Sequence, residues 1–392
     1  MKLALQFHLL WPVIAWGLVC QPAMFAETVP SGGTMLVYFG TYTGAKSKGI
    51  YVSRFDPATG RLTSPELAVE TPSPSFLAIH PGKRFLYATG ENTNLGGKHV
   101  GAVSAFSLDA KTGRLTLLNL KSSGGEGPCH LAVDPTGKCL LVANYGSGSV
   151  AALPIQPDGS LAEPSAVIQH QGSSVNPQRQ TGPHGHFITP DSGNRFALAC
   201  DLGLDQVLVY RFDSGKGSLV ANAPPFAAVK PGSGPRHLAF HPSGRFVFLI
   251  NEMGSTLTVF AYDAKRGALK ELQTISMLPA GFAGNSTCAE VQVHPSGKFV
   301  YGSNRGHDSI AVFGFAATSG TLTCLEHQPT QGKTPRHFAF DPAGNWLLAE
   351  NQESDNVVVF RVDTKTGRLS AAGQTVSVGA PVCAVFVDLN QR

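Results

Sequence analysis

GPRHLAFHPSGRFVFLINEMGSTLTVFAYDAKRGALKEL, residues 234 to 272, decides the fold. It opens with an apolar run, turns at His-Pro-Ser-Gly, runs apolar again to Asn251, and follows with a third run, a turn and a fourth. Short apolar runs separated by Gly- and Pro-bearing turns read as four antiparallel strands of one small sheet. The stretch recurs along the chain. Aligned on the turn proline, the copies fall at Pro81, Pro135, Pro190, Pro242, Pro295 and Pro342, at offsets of 54, 55, 52, 53 and 47 residues. A four-stranded unit at a period of about 40 to 50 residues is the mark of a propeller blade.

Those six copies are complete, and a seventh is split between the two ends. PVCAVFVDL, Pro381 to Leu389, is a first strand with nothing after it. MLVYFGTYT from Met35, GIYVSRFD from Gly49 and RLTSPELAV from Arg61 are later strands with no first strand before them. Joined, they predict an all-β, seven-bladed propeller of four antiparallel strands per blade, spanning 35–389 as one domain. Closure of this kind leaves no long exposed sheet edge.

The composition agrees. Only 14% of residues are charged, whereas the chain has 44 Gly and 27 Pro, which suits buried strands and many turns. A formal charge of +4 with no basic run gives no support to nucleic-acid binding. Residues 1–26 stand outside the repeat: Lys2, an apolar run from Leu9 to Cys20, then QPAMFA. That is the order of a secretory signal peptide, so the chain is expected to be exported, periplasmic or secreted, with no membrane span once the signal is removed. Six cysteines remain after Cys20, none spaced CxxC, and they read as small buried side chains rather than bridges or zinc ligands.

Strand order sorts side chains onto two rims. In an antiparallel blade the start of strand one and the end of strand two lie together, and the turn between them lies at the other end. His80, His241 and His294, which precede turn prolines, are therefore turn residues far from the GPRH-bearing mouth. Asn144, Asn251, Asn304 and Asn351, nine residues after the proline, are expected to bond backbone where strand two ends. His130, His237 and His337 repeat five residues before it and read as packing between blades, but the fifth blade has Glu290 there. Six before it stand Arg236 and Arg336, with His184 in the third blade and His186 two further on. Glu252 and Arg305 end second strands at the same mouth. Singly, each charge reads as a solvated rim; together they form a site candidate of acid, base and cations.

These segments, GPHGHFITPDSGNRFALACDLGLDQVLVYRFD, GPRHLAFHPSGRFVFLINE, CAEVQVHPSGKFVYGSNRGHDSIAVF and the opening YFGTYT, resemble the lactonase family of seven-bladed propellers. That family includes the propeller type of 6-phosphogluconolactonase and, more distantly, a fungal carboxymuconate lactonizing enzyme. The resemblance runs from about Met35 to Leu389 and implies hydrolysis of a sugar lactone with no cofactor. It also implies a site of His, Glu and Arg side chains, matching His184, Glu290, Arg236 and Arg305 here. An export signal fits a non-phosphorylated aldonolactone, or another small anionic lactone, better than a cytoplasmic sugar phosphate.

The expected chemistry has His184, Glu290 and Arg236 as catalytic groups. His184 takes a proton from water, Glu290 orients it or replaces it, and Arg236 stabilises the oxyanion. Arg305 and Arg336 hold the anionic end, with His186 and Glu252 also lining the substrate site. GSGSV, 146–150, is a loop and not a nucleophile elbow, since no helix follows it. Two other classes stay open: a calcium-dependent lactonase using Glu252, Glu290 and mouth asparagines, and a non-enzymatic exported binding propeller, for which Tyr42 and Tyr145 are the available rim aromatics.

Overall fold

In the fourth blade, Pro235–Phe240, Phe246–Asn251, Thr256–Asp263 and Ala268–Ser276 pair in that order, antiparallel throughout. The second strand, FVFLIN, is buried at every residue, which is why it is an unbroken apolar run. The fourth carries most of the exposed residues. The protein is described here by a computed structural model covering residues 35–93 and 100–389; the signal-like segment 1–26 lies outside them.

Six such four-stranded sheets are present, and the seventh forms as expected from the two ends of the chain. Pro381–Val387 pairs with Met35–Thr41, which pairs with Gly49–Asp56; the outermost strand there is split into Arg61–Leu62 and Glu66–Glu70. Helix is limited, among the described residues, to one 3-10 turn at Gln352–Ser354. Seven apolar clusters fill the structure, one between each neighbouring pair of blades. The two that flank the seventh blade close the ring. One joins Phe39 and Phe55 to Trp346 and Leu348, the other Tyr38 and Ile50 to Leu86 and Phe106.

The turn histidines hold neighbouring blades together at the rim opposite the mouth. His241 Nδ1 accepts from Ser243 N at 3.0 Å, so its proton sits on Nε2, which donates to Gly297 O of the next blade at 3.0 Å. His80 and His294 repeat this bond to Gly137 O and Gly344 O. Five of the six described cysteines are buried free thiols, while Cys324 is exposed, against the uniform burial expected of them.

One register differs from the sequence alignment, and it bears on the site. In the third blade the turn is headed by Asp191, whose N–H bonds Phe196 O as His241 N–H bonds Phe246 O. Asp191 Oδ1 also accepts from Arg195 N and Phe196 N, doing with a side chain what the His-Pro turn does elsewhere. Pro190 is thus the last residue of its strand rather than the turn proline. The shift puts Phe187, paired with Cys200, level with His237, paired with Ile250. His186, not His184, is then level with Arg236.

Candidate active site

Each innermost strand starts at the mouth and points one side chain after another toward the axis. The first such layer contains Ser75, Cys129, His186, Arg236, Ala289, Arg336 and Val382; the next contains Phe76, His130, Phe187, His237, Glu290, His337 and Cys383, as the strand registers require. The second layer plugs the channel. Phe76 touches the rings of His130, His237 and His337, and His130 touches Phe187 and His237. These histidines therefore meet across the axis instead of packing between blades, as the repeat alone suggested.

Above that plug stands Glu252, 5% exposed as a residue, whose carboxylate holds three guanidinium groups. Oε1 accepts from Arg179 Nη2 at 2.9 Å; Oε2 accepts from Arg236 Nε at 3.2 Å and Arg305 Nη2 at 2.9 Å. Burial pushes the carboxyl up, but Arg305 and Arg236 outweigh it and hold it well below the usual carboxylate range. Glu252 is a buried hub and not a solvated rim charge. Three guanidiniums against one carboxylate leave an excess of two positive charges here. Arg236 also donates from Nη1 to Ala289 O at 2.7 Å, and burial with Arg305 and Arg336 beside it lowers its pKa to about 10, so it stays charged near neutrality. Its Nη2 makes no hydrogen bond among the described residues.

Arg336 lies on the other side of the same pocket. It donates to Tyr42 Oη at 3.0 Å and stacks over the Tyr42 ring at 5.4 Å, and Tyr42 donates on to Glu91 at 3.0 Å. Among the described residues no carboxylate touches Arg336 directly. The pocket between the arginines is lined also by Cys129 and Ser75 and floored by Phe76, His237 and His337.

His184 sits at the rim, half-buried, immediately before the third blade's first strand, which begins at Gly185. Its Nδ1 lies 2.9 Å from Tyr145 O. A carbonyl can only accept, so Nδ1 carries the proton and Nε2 keeps a lone pair, the tautomer a general base needs. The ring stacks on Tyr145 at 4.5 Å, and Tyr145 Oη accepts from Arg179, which holds Glu252. His184, Arg179, Glu252, Arg236 and Arg305 are thus joined by one chain of contacts at one opening.

Glu290 is not beside His184. It lies in the deeper layer, where Oε2 is 2.8 Å from His237 Nδ1 and 3.7 Å from His337 Nε2. The atom that bonds the His184 ring is the Tyr145 carbonyl, not the Glu290 carboxyl. His186, level with Arg236, is buried against Cys129 and the rings of Tyr145 and His237, and burial, then Arg236, keeps it far below the usual imidazole pKa. As for calcium, both Glu252 oxygens are occupied by guanidinium groups, Glu290 faces a different layer, and no group of three or more candidate ligands occurs among the described residues.

Two residues of this network escaped the sequence reading. Arg179 lies in the long connection between Gln169 and Gly185, where no repeat applies. Asp201 ends the second strand of the third blade, where four other blades have Asn; that exception was visible in the sequence. Its Oδ1 accepts from His184 N, Gly203 N and Leu204 N, and its Oδ2 lies 2.6 Å from His170 Nδ1. Tyr210 Oη closes this network on His170 Nε2 at 2.8 Å.

Known proteins share this framework. The family model described as "Lactonase, 7-bladed beta-propeller" matches residues 36–386. The 6-phosphogluconolactonase of Bacillus subtilis is 37% identical over 350 residues, covering 89% of this chain and 97% of its own length. That of Formosa agariphila is 32% identical, covering 87% and 96%. The structure of the periplasmic gluconolactonase of Pseudomonas aeruginosa is similar at a TM-score of 0.84 with 36% identity, over 90% of this chain and 99% of that one. The chain belongs to the lactonase family of seven-bladed β-propellers.

Proposed function

We propose that this chain hydrolyses a sugar lactone at the mouth that carries Glu252 and its arginines. The observation that carries this reading is the surplus of guanidinium charge beside a histidine whose acceptor nitrogen is preset. Opening a lactone places negative charge on the carbonyl oxygen, and a donor fixed in a buried site stabilises it without reorganising. Arg236 is that donor, through Nη2. His184 Nε2 takes the proton of the attacking water, a step for which positioned bases supply roughly 10²–10⁴-fold. Arg336, with Arg305 beyond it, binds the anionic or polyhydroxy end of the sugar. Glu252 serves by fixing three guanidiniums in place, and His186 by packing beneath the substrate.

Relatives named 6-phosphogluconolactonase and gluconolactonase support a sugar lactone as substrate. Residues 1–26 and the periplasmic relative both support export, and with it a plain aldonolactone over a phosphorylated one. The test is turnover of purified mature protein on plain and phosphorylated sugar lactones, with spontaneous opening subtracted and with a chelator added in parallel. Full activity of His184→Ala or Arg236→Ala would overturn the assignment; chelator-sensitive turnover would favour the calcium mechanism.

A further inference from the structure

Lactone opening needs a proton for the leaving alkoxide, a role that the reading above gives to no residue. The floor of the pocket carries a candidate. His237 lies there, 2% exposed, with Nδ1 bonded to Glu290 Oε2 at 2.8 Å. On the far side of the ring, Nε2 is buried and has no hydrogen-bond partner. An unpartnered buried polar atom costs about 1–3 kcal/mol, a cost that folding alone gives no reason to keep. The pocket above offers about 10 Å³ to the centre of a water-sized sphere, room for a single hydroxyl.

We propose that Glu290 and His237 form a proton-donating pair for the departing hydroxyl of the opened lactone. The inference rests on the lactonase reading above and adds to it a proton donor, His237, with Glu290 behind it. As the acyl carbon–oxygen bond breaks, His237 Nε2–H passes its proton to the alkoxide, and the Glu290 carboxyl passes its own to His237 Nδ1. The product is an alcohol, a Glu290 carboxylate and a neutral imidazole protonated on Nδ1. The water proton collected by His184 returns through solvent and the relay reverses, so no proton is gained or lost over a cycle.

The surroundings suit a neutral acid joined to a neutral imidazole. Burial pushes Glu290 up to about 7, opposed by His337 and Arg236 and assisted by Glu350. Burial, with Arg236, His186, His130 and His337 around the ring, keeps His237 well below its usual pKa. His337 is anchored separately: its Nδ1 accepts from Ala384 N at 3.3 Å and meets Glu350 Oε2 at 2.8 Å, which leaves Glu290 to His237.

A proton donor matters only when the leaving group needs one. Gluconolactone expels an alkoxide, while dihydrocoumarin expels a phenolate that departs unaided. His237→Asn and the near-isosteric Glu290→Gln should each lower kcat/KM on gluconolactone by about 10²-fold and change that on dihydrocoumarin less than about threefold, whereas Arg236→Ala should impair both. The wild-type rate on gluconolactone should fall above about pH 7, the Glu290 value, and Glu290→Gln should lose that limb. Equal losses on both substrates, or no loss on either, would overturn the pair while leaving the lactonase reading intact. A wild-type chain that opens neither substrate would overturn both.

Discussion

Glu252 is the residue on which the site's charge balance turns. Replacing it by Gln leaves three packed guanidiniums without their common anion, and removing one partner of a buried ion pair costs about 3–5 kcal/mol. Thermal unfolding of Glu252→Gln should show a loss of that size at pH 7. Because the folded carboxyl lies below its ordinary value of 4.5, its contribution is complete above that pH and is lost as the pH falls further. The gap between wild type and Glu252→Gln should therefore close on acidification. Glu290 behaves in the opposite sense. Its folded pKa is raised from 4.5 to about 7, so the native state binds the extra proton across that interval and wild-type stability declines as pH rises through it. Glu290→Gln, which cannot ionise, should gain on wild type between pH 5 and 8, by at most about 3 kcal/mol. A constant difference across those pH values would show that Glu290 keeps an ordinary pKa.

Among the elements, two loops depend on side chains that the strands beneath them provide. The connection carrying Arg179 and His184 is held by Asp201, through His184 N and His170, and by Gln180 Nε2 to Leu202 O at 2.8 Å. Asp201→Ala should release it: we expect faster proteolysis between Gln169 and Gly185, and a fall in lactone turnover exceeding the fall in stability. At the other rim the blades lock through glycine turns set on aromatic rings. Gly267 has φ 62°, and a Cβ there would meet Phe196 of the preceding blade at 2.5 Å. Gly267→Ala combines a left-handed backbone penalty of about 1–2 kcal/mol with that clash. Its melting temperature should drop, with the kinetics of the surviving folded protein unchanged, since the position is remote from the mouth.

At the scale of the whole molecule, stability depends on the ring being shut. The Pro381–Val387 strand contributes Ala384 to the cluster with the sixth blade and Cys383 and Val387 to the cluster with the first. A chain ending at Gly379 loses both interfaces and bares the edge of Met35–Thr41. It should elute as aggregate in size-exclusion chromatography, and adding residues 380–392 as a separate peptide should restore part of the folded fraction.

Blade number, the split seventh blade and which strand ends lie together were legible from sequence because they follow from a repeat whose turns are marked by His/Asp-Pro and Gly. Arg236, Glu252, Arg305 and Arg336 were legible as charged residues that the strand order brings to one mouth. Their partners were not: Arg179 comes from a connection outside the repeat, and Asp191 heads a turn that mimics the His-Pro pattern two residues late, hiding which of His184 and His186 enters the first layer. Pairing across the axis is the part that only tertiary structure decides. Residues one apart on a strand differ by a layer, so Glu290 meets His237 and not His184, and Glu252 meets three arginines from separate segments. The period of a sequence determines how many sheets there are and which ends face together; distances between side chains from different blades depend on how the closed ring brings them in.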